Sequence, residues 1–213
     1  PVPTLADGPD MDQVEALARD PAVKGLICVP MYGNPSGVTF SDEVVARLAR
    51  MEAAPDFRIF WDNAYCVHDL YDETDELANI FDLARAAGTE DRVVAFASTS
   101  KITFPGAGIG FIGASPAVIA EFSKRLKVGL ISADKLNQLR HVRFLKDATG
   151  VDALMKKHAA IIRPKFELVA RMLEEGLRNE GIATWTNPVG GYFVSFDGLE
   201  GTAKRTVELA KKA

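Results

Sequence analysis

The sequence predicts an α/β fold: a three-layer α/β/α arrangement around a mostly parallel sheet, followed by the start of a smaller C-terminal α/β domain. Three observations predict it. Apolar runs at 24–29, 57–61 and 92–97 have the length of buried strands, and a fourth run lies at 107–113. Stretches of helical periodicity separate the first three, and strands alternating with helices build parallel sheets covered on both faces. Each of those three runs ends in a polar cluster, which is where open α/β sheets place their ligands.

Taken in order, Met11, Val14, Leu17 and Ala18 share one face of a helix at 10–20. The strand at 24–29 runs into the turn-forming stretch 30–37. Ser41 is a suitable N-cap for a helix at 42–53, with Asp42 and Glu43 favourable in its first turn. The strand at 57–61 delivers Asp62, and a helix at 77–87 stops at Gly88. The third strand leads to Ser98-Thr99-Ser100-Lys101. The turn Pro105-Gly106 precedes the fourth strand. From 115 to 180 the pattern is helical, with interruptions near 129–134 and Gly150. Pro164 is expected to kink the last helix or mark a boundary. Strands are expected at 182–185 and 192–196, and a final helix from about Thr202. This places one domain over 1–165, incomplete at its N-terminus, and the start of a second over 166–213. Both ends of the chain read as cut, so a fragment of a longer protein is expected.

Composition narrows the partners. Hydrophobic residues make up 47% of the 213 and charged residues 25%, with a net charge of −4, so nothing favours nucleic acid or an anionic membrane. Cys28 and Cys66 have neither metal-ligand nor disulfide-framework spacing, and no metal site is expected. Buried free thiols in a reducing cytoplasm are the plain reading.

Three clusters carry the chemistry: Asn34-Pro35-Ser36-Gly37, Asp62-Asn63-Ala64-Tyr65 and Ser98-Thr99-Ser100-Lys101. Each alone has a bland reading, as turn chemistry, a cap or a solvated charge. Together they place an amine among hydroxyls, with an acid and a phenol nearby. An amine buried in such a place loses proton affinity and becomes a competent nucleophile and base.

On these residues the chain resembles the fold-type I pyridoxal-phosphate enzymes, the aspartate aminotransferase superfamily, and among them the bacterial type Ic aspartate aminotransferases. The segments that carry the resemblance are Trp61 to Tyr65 with Val67-His68, Ser98 to Phe104, and Lys135 to Leu145. The resemblance implies that Lys101 holds pyridoxal phosphate as a Schiff base and shuttles the reaction's proton. It implies that Asp62 pairs with the pyridine nitrogen, that Tyr65 and Asn34 hydrogen-bond the phenolic oxygen, and that Ser98 and Ser100 contact the phosphate. The Asn34–Pro35 bond is expected to be cis. The implied substrates are an amino acid and a 2-oxo acid, aspartate and 2-oxoglutarate, in a homodimer with shared active sites.

The sequence departs from the superfamily at Ile109, where most members carry a phosphate-binding arginine. The upstream phosphate loop, the ring-stacking residue and the downstream substrate-carboxylate arginine fall outside the chain. His68 reads as a structural histidine. Arg140, His141 and Arg143 read as a solvated or intersubunit helix face, and Gly190-Gly191-Tyr192-Phe193 as a hinge. A lyase or decarboxylase on the same fold and a non-catalytic effector domain are the alternative functions.

Overall fold

The computed structural model describes residues 1–212. It opens with β1 (Thr4–Leu5) and β2 (Gly8–Pro9), a small antiparallel pair, and continues through α1 (Met11–Ala18), β3 (Gly25–Cys28), α2 (Asp42–Arg50), β4 (Arg58–Asp62) and α3 (Ile80–Ala87). A short 3-10 turn at Glu90–Arg92 leads into β5 (Val93–Ser98) and β6 (Gly110–Ala114). Then come α4 (Pro116–Gly129), α5 (Lys135–Leu145), α6 (Ala148–Leu177), the antiparallel pair β7 (Ala183–Trp185) and β8 (Phe196–Gly198), and α7 (Ala203–Ala210).

Every helix but α7 begins where a side chain satisfies one or more orphan amides. Asp10 Oδ1 accepts from the amides of Asp12 and Gln13, and Ser41 Oγ accepts from Val44 N at 3.3 Å. Asn79, Asp134 and Asp147 do the same for α3, α5 and α6. Gly88 ends α3 at φ 70°, a left-handed position that suits glycine.

The main sheet has the order β3-β4-β5-β6. The first three strands are parallel, with Gly25 opposite Arg58 and Ile59 opposite Val93. The mostly parallel sheet expected from the sequence is therefore present, with one departure: β6 runs antiparallel to β5, Ser98 facing Gly110. The reason is the short connection from Thr99 to Ile109, which has no room for a crossover helix.

One face of this sheet is sealed. Leu48, Val45, Ala84 and Ala18 from the helices close over Ile59, Trp61 and Val93, all essentially buried. Each such large side chain contributes about 1.5–3 kcal/mol on burial. The opposite face is thinly covered. Phe60 stacks on Phe96, and α4 stands beyond them across a groove of about 630 Å³ that Phe122 also lines. Ile27 on β3 is 78% exposed.

In the C-terminal part helix α6 runs on through Pro164, so residues 165 and 166 fall within one continuous helix. The strand expected at 192–196 begins only at Phe196, because Tyr192 and Phe193 pack edge-on against Tyr65 instead.

That packing forms a second core around Met31, Tyr32 and Tyr65. Tyr32 is fully buried at φ 50°, and its hydroxyl donates to Asp69 Oδ1 at 2.7 Å. Gly190 lies flat on its ring, where an added Cβ would come within 2.2 Å of Cε2. Main-chain bonds fix the segment, Leu70 N to Val189 O and Gly191 N to His68 O. The glycine pair read as a hinge is therefore a close-packed seam. Gly190→Ala is expected to destabilise the protein by about 1–3 kcal/mol through overpacking. Equilibrium denaturation measures this, and an unchanged midpoint would refute the seam.

His68 is 3% exposed in the same core, and burial holds its imidazole below the ordinary 6.5 despite hydrogen bonds that favour the charged form. The unfolded chain thus takes up the proton first. His68's contribution is intact above the unfolded value of 6.5 and lost as pH falls from there toward the depressed folded value. His68→Phe should flatten the decline in melting temperature between about pH 7 and about pH 5. Parallel curves for parent and variant would show that His68 is not responsible.

Candidate active site

Parallel strands deliver their C-terminal ends to one edge of the sheet, and there the chain gathers its reactive groups. Asp62 closes β4 opposite Phe96 of β5. It lies close enough to Cys28 on β3 that, after burial itself, its charge helps push the Cys28 thiol up to about 12. Two residues beyond Phe96, Ser98 closes β5. Its Oγ donates to Ser100 Oγ at 2.7 Å and accepts from the Ser100 amide at 2.9 Å, a compact hydroxyl pair. Gly108 makes room for it, since a Cβ there would sit 2.5 Å from Ser100 Oγ.

Lys101 follows at once, with Nζ 5.1 Å from the centroid of the Tyr65 ring. Tyr65 is buried, and His68, Tyr192 and Phe193 hold its ring edge-on. The main-chain carbonyl of Lys101 accepts from Tyr192 Oη and His68 Nε2, each at 3.4 Å. Burial pushes the Tyr192 phenol up. One expectation is corrected here: Lys101 is exposed, where a buried amine was expected.

The third cluster stands apart. Gly37 N donates to Gly33 O, and Gly33 N to Val38 O, closing a tight loop after β3. The Asn34–Pro35 bond in this loop is cis. Asn34 is exposed, and among the described residues no hydrogen bond joins its side chain to Asp62, Tyr65 or Lys101. The structure thus brings Tyr65 and Lys101 into contact and pairs Ser98 with Ser100. It sets Asp62 one strand over at the same edge, and leaves Asn34 unattached.

Two residues of this site escaped the sequence reading. Tyr192 was assigned to a hinge, and nothing local indicates that it folds back onto residue 101. The sequence places His141 on a solvated or intersubunit helix face, yet it is 4% exposed and faces Thr99 and Thr103 on either side of the lysine. Helical spacing could have flagged its face only if the partner of that face had been known.

Pyridoxal phosphate presents a ring nitrogen, a phenolic oxygen, an aldehyde carbon and a phosphate. The residues fit such a group. An accessible amine, a carboxylate on the neighbouring strand and a hydroxyl pair beside the glycine turn offer partners of the right chemistry. The phosphate end is uncharged here: Ile109 presents only its amide, already donated to Thr99 Oγ1 at 2.8 Å. Among the described residues no cluster of His, Cys, Asp and Glu could hold a metal ion, and no helix is long and apolar enough to cross a membrane.

The profile of the aspartate amino-transferase family matches residues 1–213. An aspartate aminotransferase of Corynebacterium glutamicum is 49% identical over 213 residues, covering 100% of this chain and 49% of its own length. The crystal structure of an aspartate transaminase from that organism superposes with a TM-score of 0.94 at 48% identity, covering 99% of this chain and 50% of that one. The α-aminoadipate aminotransferase of Thermus thermophilus, solved with N-(5'-phosphopyridoxyl)-L-leucine, gives a TM-score of 0.77 at 26% identity, covering 97% and 53%. The chain spans about half the length of the relatives it matches. With the sheet edge and its residues in place, the chain belongs to the aspartate amino-transferase family.

Proposed function

We propose that the protein is a pyridoxal-phosphate-dependent aminotransferase that moves the amino group of aspartate to 2-oxoglutarate, with Lys101 as the covalent attachment point. The observation that carries this reading is the arrangement at one sheet edge: Lys101 Nζ over the Tyr65 ring, the Ser98–Ser100 hydroxyl pair beside it, and Asp62 at the end of the adjacent strand. The similarity to the Corynebacterium aspartate transaminase supports the choice of substrates.

When bound, the cofactor supplies an electron sink that stabilises negative charge at the substrate α-carbon. The chain's own residues do the rest. Asp62, as a carboxylate, holds a proton on the ring nitrogen. Tyr65 and Asn34 direct their polar groups to the phenolic oxygen, and Ser98 and Ser100 donate to the phosphate. Lys101 would be the attachment point, and its Nζ, once free, would be placed to take up and return the proton of the substrate α-carbon. An exposed lysine suits this double task, because the amine must swing between attachment and proton transfer.

Assembly and location belong to the same proposal. Val128, Ile131 and Leu136 expose apolar side chains at 90%, 106% and 81%, which supports a homodimer whose shared sites cover them. The free thiols Cys28 and Cys66 are compatible with a reducing cytoplasm.

Borohydride reduction of the full-length, cofactor-loaded protein, followed by peptide mapping, should place the label on Lys101. Label on another lysine, such as Lys24 or Lys127, refutes the assignment.

Asp62→Ala should leave the fold intact and lower kcat on the order of a thousandfold in a coupled assay with aspartate and 2-oxoglutarate. Near-normal turnover would make Asp62 structural only. A parent enzyme that releases carbon dioxide or eliminates a β-substituent instead would assign the same residues to another reaction.

A further inference from the structure

Helix α5 grips the lysine loop from within the fold. His141 Nδ1 lies 2.9 Å from the carbonyl of Asn137, which can only accept, so Nδ1 carries the proton. The other nitrogen, Nε2, then faces two hydroxyls, Thr99 Oγ1 at 3.1 Å and Thr103 Oγ1 at 2.8 Å. Thr99 Oγ1 already accepts from Ile109 N at 2.8 Å, which leaves its own proton for the imidazole. Thr103 Oγ1 also lies 3.1 Å from the Thr99 carbonyl. One helical turn earlier, Asn137 Nδ2 donates to the carbonyl of Ala107 at 2.9 Å. A single helix face thus holds the loop at residues 99, 103 and 107, on both limbs, and Lys101 sits midway between the two threonines.

We infer that His141 is a positioning residue for Lys101: through Thr99 and Thr103 it fixes the backbone from which the lysine swings. This rests on the proposed function for the lysine. A buried histidine that merely satisfied itself would bond within its own helix. His141 does so with one nitrogen and turns the other to the hydroxyls of the two residues flanking Lys101, its single lone pair accepting the Thr99 proton while Thr103 Oγ1 gives its own to the Thr99 carbonyl. The lysine side chain is exposed, and the polar contacts fixing this stretch fall on its backbone: His141 through the threonines, and His68 and Tyr192 at its carbonyl. Removing the imidazole should therefore loosen the loop while leaving the sheet in place.

The test uses the full-length protein in two forms. In the cofactor-free form, hydrogen exchange of Ile102, Thr103 and Ile109 should quicken about tenfold in His141→Leu, with α2 and β4 unchanged. His141→Gln keeps a polar group within reach of the hydroxyls and should return exchange to within about twofold of the parent. In the loaded form, His141→Leu should lower kcat about tenfold with KM little changed, and move the pH midpoint of the cofactor's visible absorbance. Unchanged loop exchange, or an equal rise throughout the protein, overturns the inference. If His141→Leu does not fold, Thr99→Val, nearly isosteric, removes the hydroxyl proton that Nε2 accepts and should give the same local loosening at Ile102 and Thr103; no loosening there overturns it as well. Failure of the underlying reading looks different: borohydride would then leave Lys101 unlabelled in the parent.

Discussion

The site depends on β5 being paired on both sides, parallel to β4 and antiparallel to β6. The parallel pairing sets Asp62 opposite Phe96, two residues short of Ser98, so that the carboxylate and the hydroxyl pair emerge at one edge. The antiparallel pairing follows from the chain's return within ten residues of Thr99, too few for a crossover. Two bonds close that return, Thr99 N to Ile109 O at 3.0 Å and Ile109 N to Thr99 Oγ1. The segment between them is a short closed loop, and such loops hold a side chain in a small volume at little entropic cost. Lys101 is carried on that loop.

Tertiary support for the loop comes from two directions that have nothing in common in sequence. Helix α5 reaches it through His141 and Asn137, while the seam of Gly190, Gly191 and Tyr192 reaches it through Tyr65 and the Lys101 carbonyl. The seam requires glycine because the Tyr32 ring fills the space where a side chain would stand. Tyr32, Asp69 and Gly190 thus tie the turn after β3 to the segment beneath the lysine, although they are far apart along the chain. A disturbance at Gly190 would be felt at Lys101 through two aromatic contacts.

What was legible in the sequence follows from how local each signal is. Apolar runs gave the four strands to within a few residues, since parallel strands carry apolar residues on both faces even where, as at Ile27, one face is thinly covered here. Ser41 as a cap and Gly88 as a stop were readable because caps act on their immediate neighbours. The polar clusters were readable because strand ends collect ligand groups. The roles of His141 and Tyr192 were not readable, because periodicity identifies a buried face without naming what covers it. The reversed direction of β6 was hidden for a related reason: a strand's composition carries no direction, and only the shortness of the 99–109 connection excludes a crossover. Pro164 does not end α6, because a proline within a long helix forfeits one hydrogen bond, a loss that the rest of a 30-residue helix can absorb.

The distribution of charge carries the last step of the reasoning. At the ring end the chain offers formal charges, a carboxylate at Asp62 and an ammonium at Lys101. At the phosphate end it offers the neutral hydroxyls of Ser98 and Ser100, and Ile109 has already committed its amide to Thr99. A phosphate dianion held by neutral donors alone is bound more weakly than one met by a guanidinium, because charge-assisted hydrogen bonds are roughly twice as strong. Under the proposed function, residues 1–212 orient the cofactor's reactive end but contribute little of its binding strength. The same division accounts for the exposure of Lys101. A loop fixed on both limbs, with the amine left free, holds Lys101 in place while its side chain can still reorient.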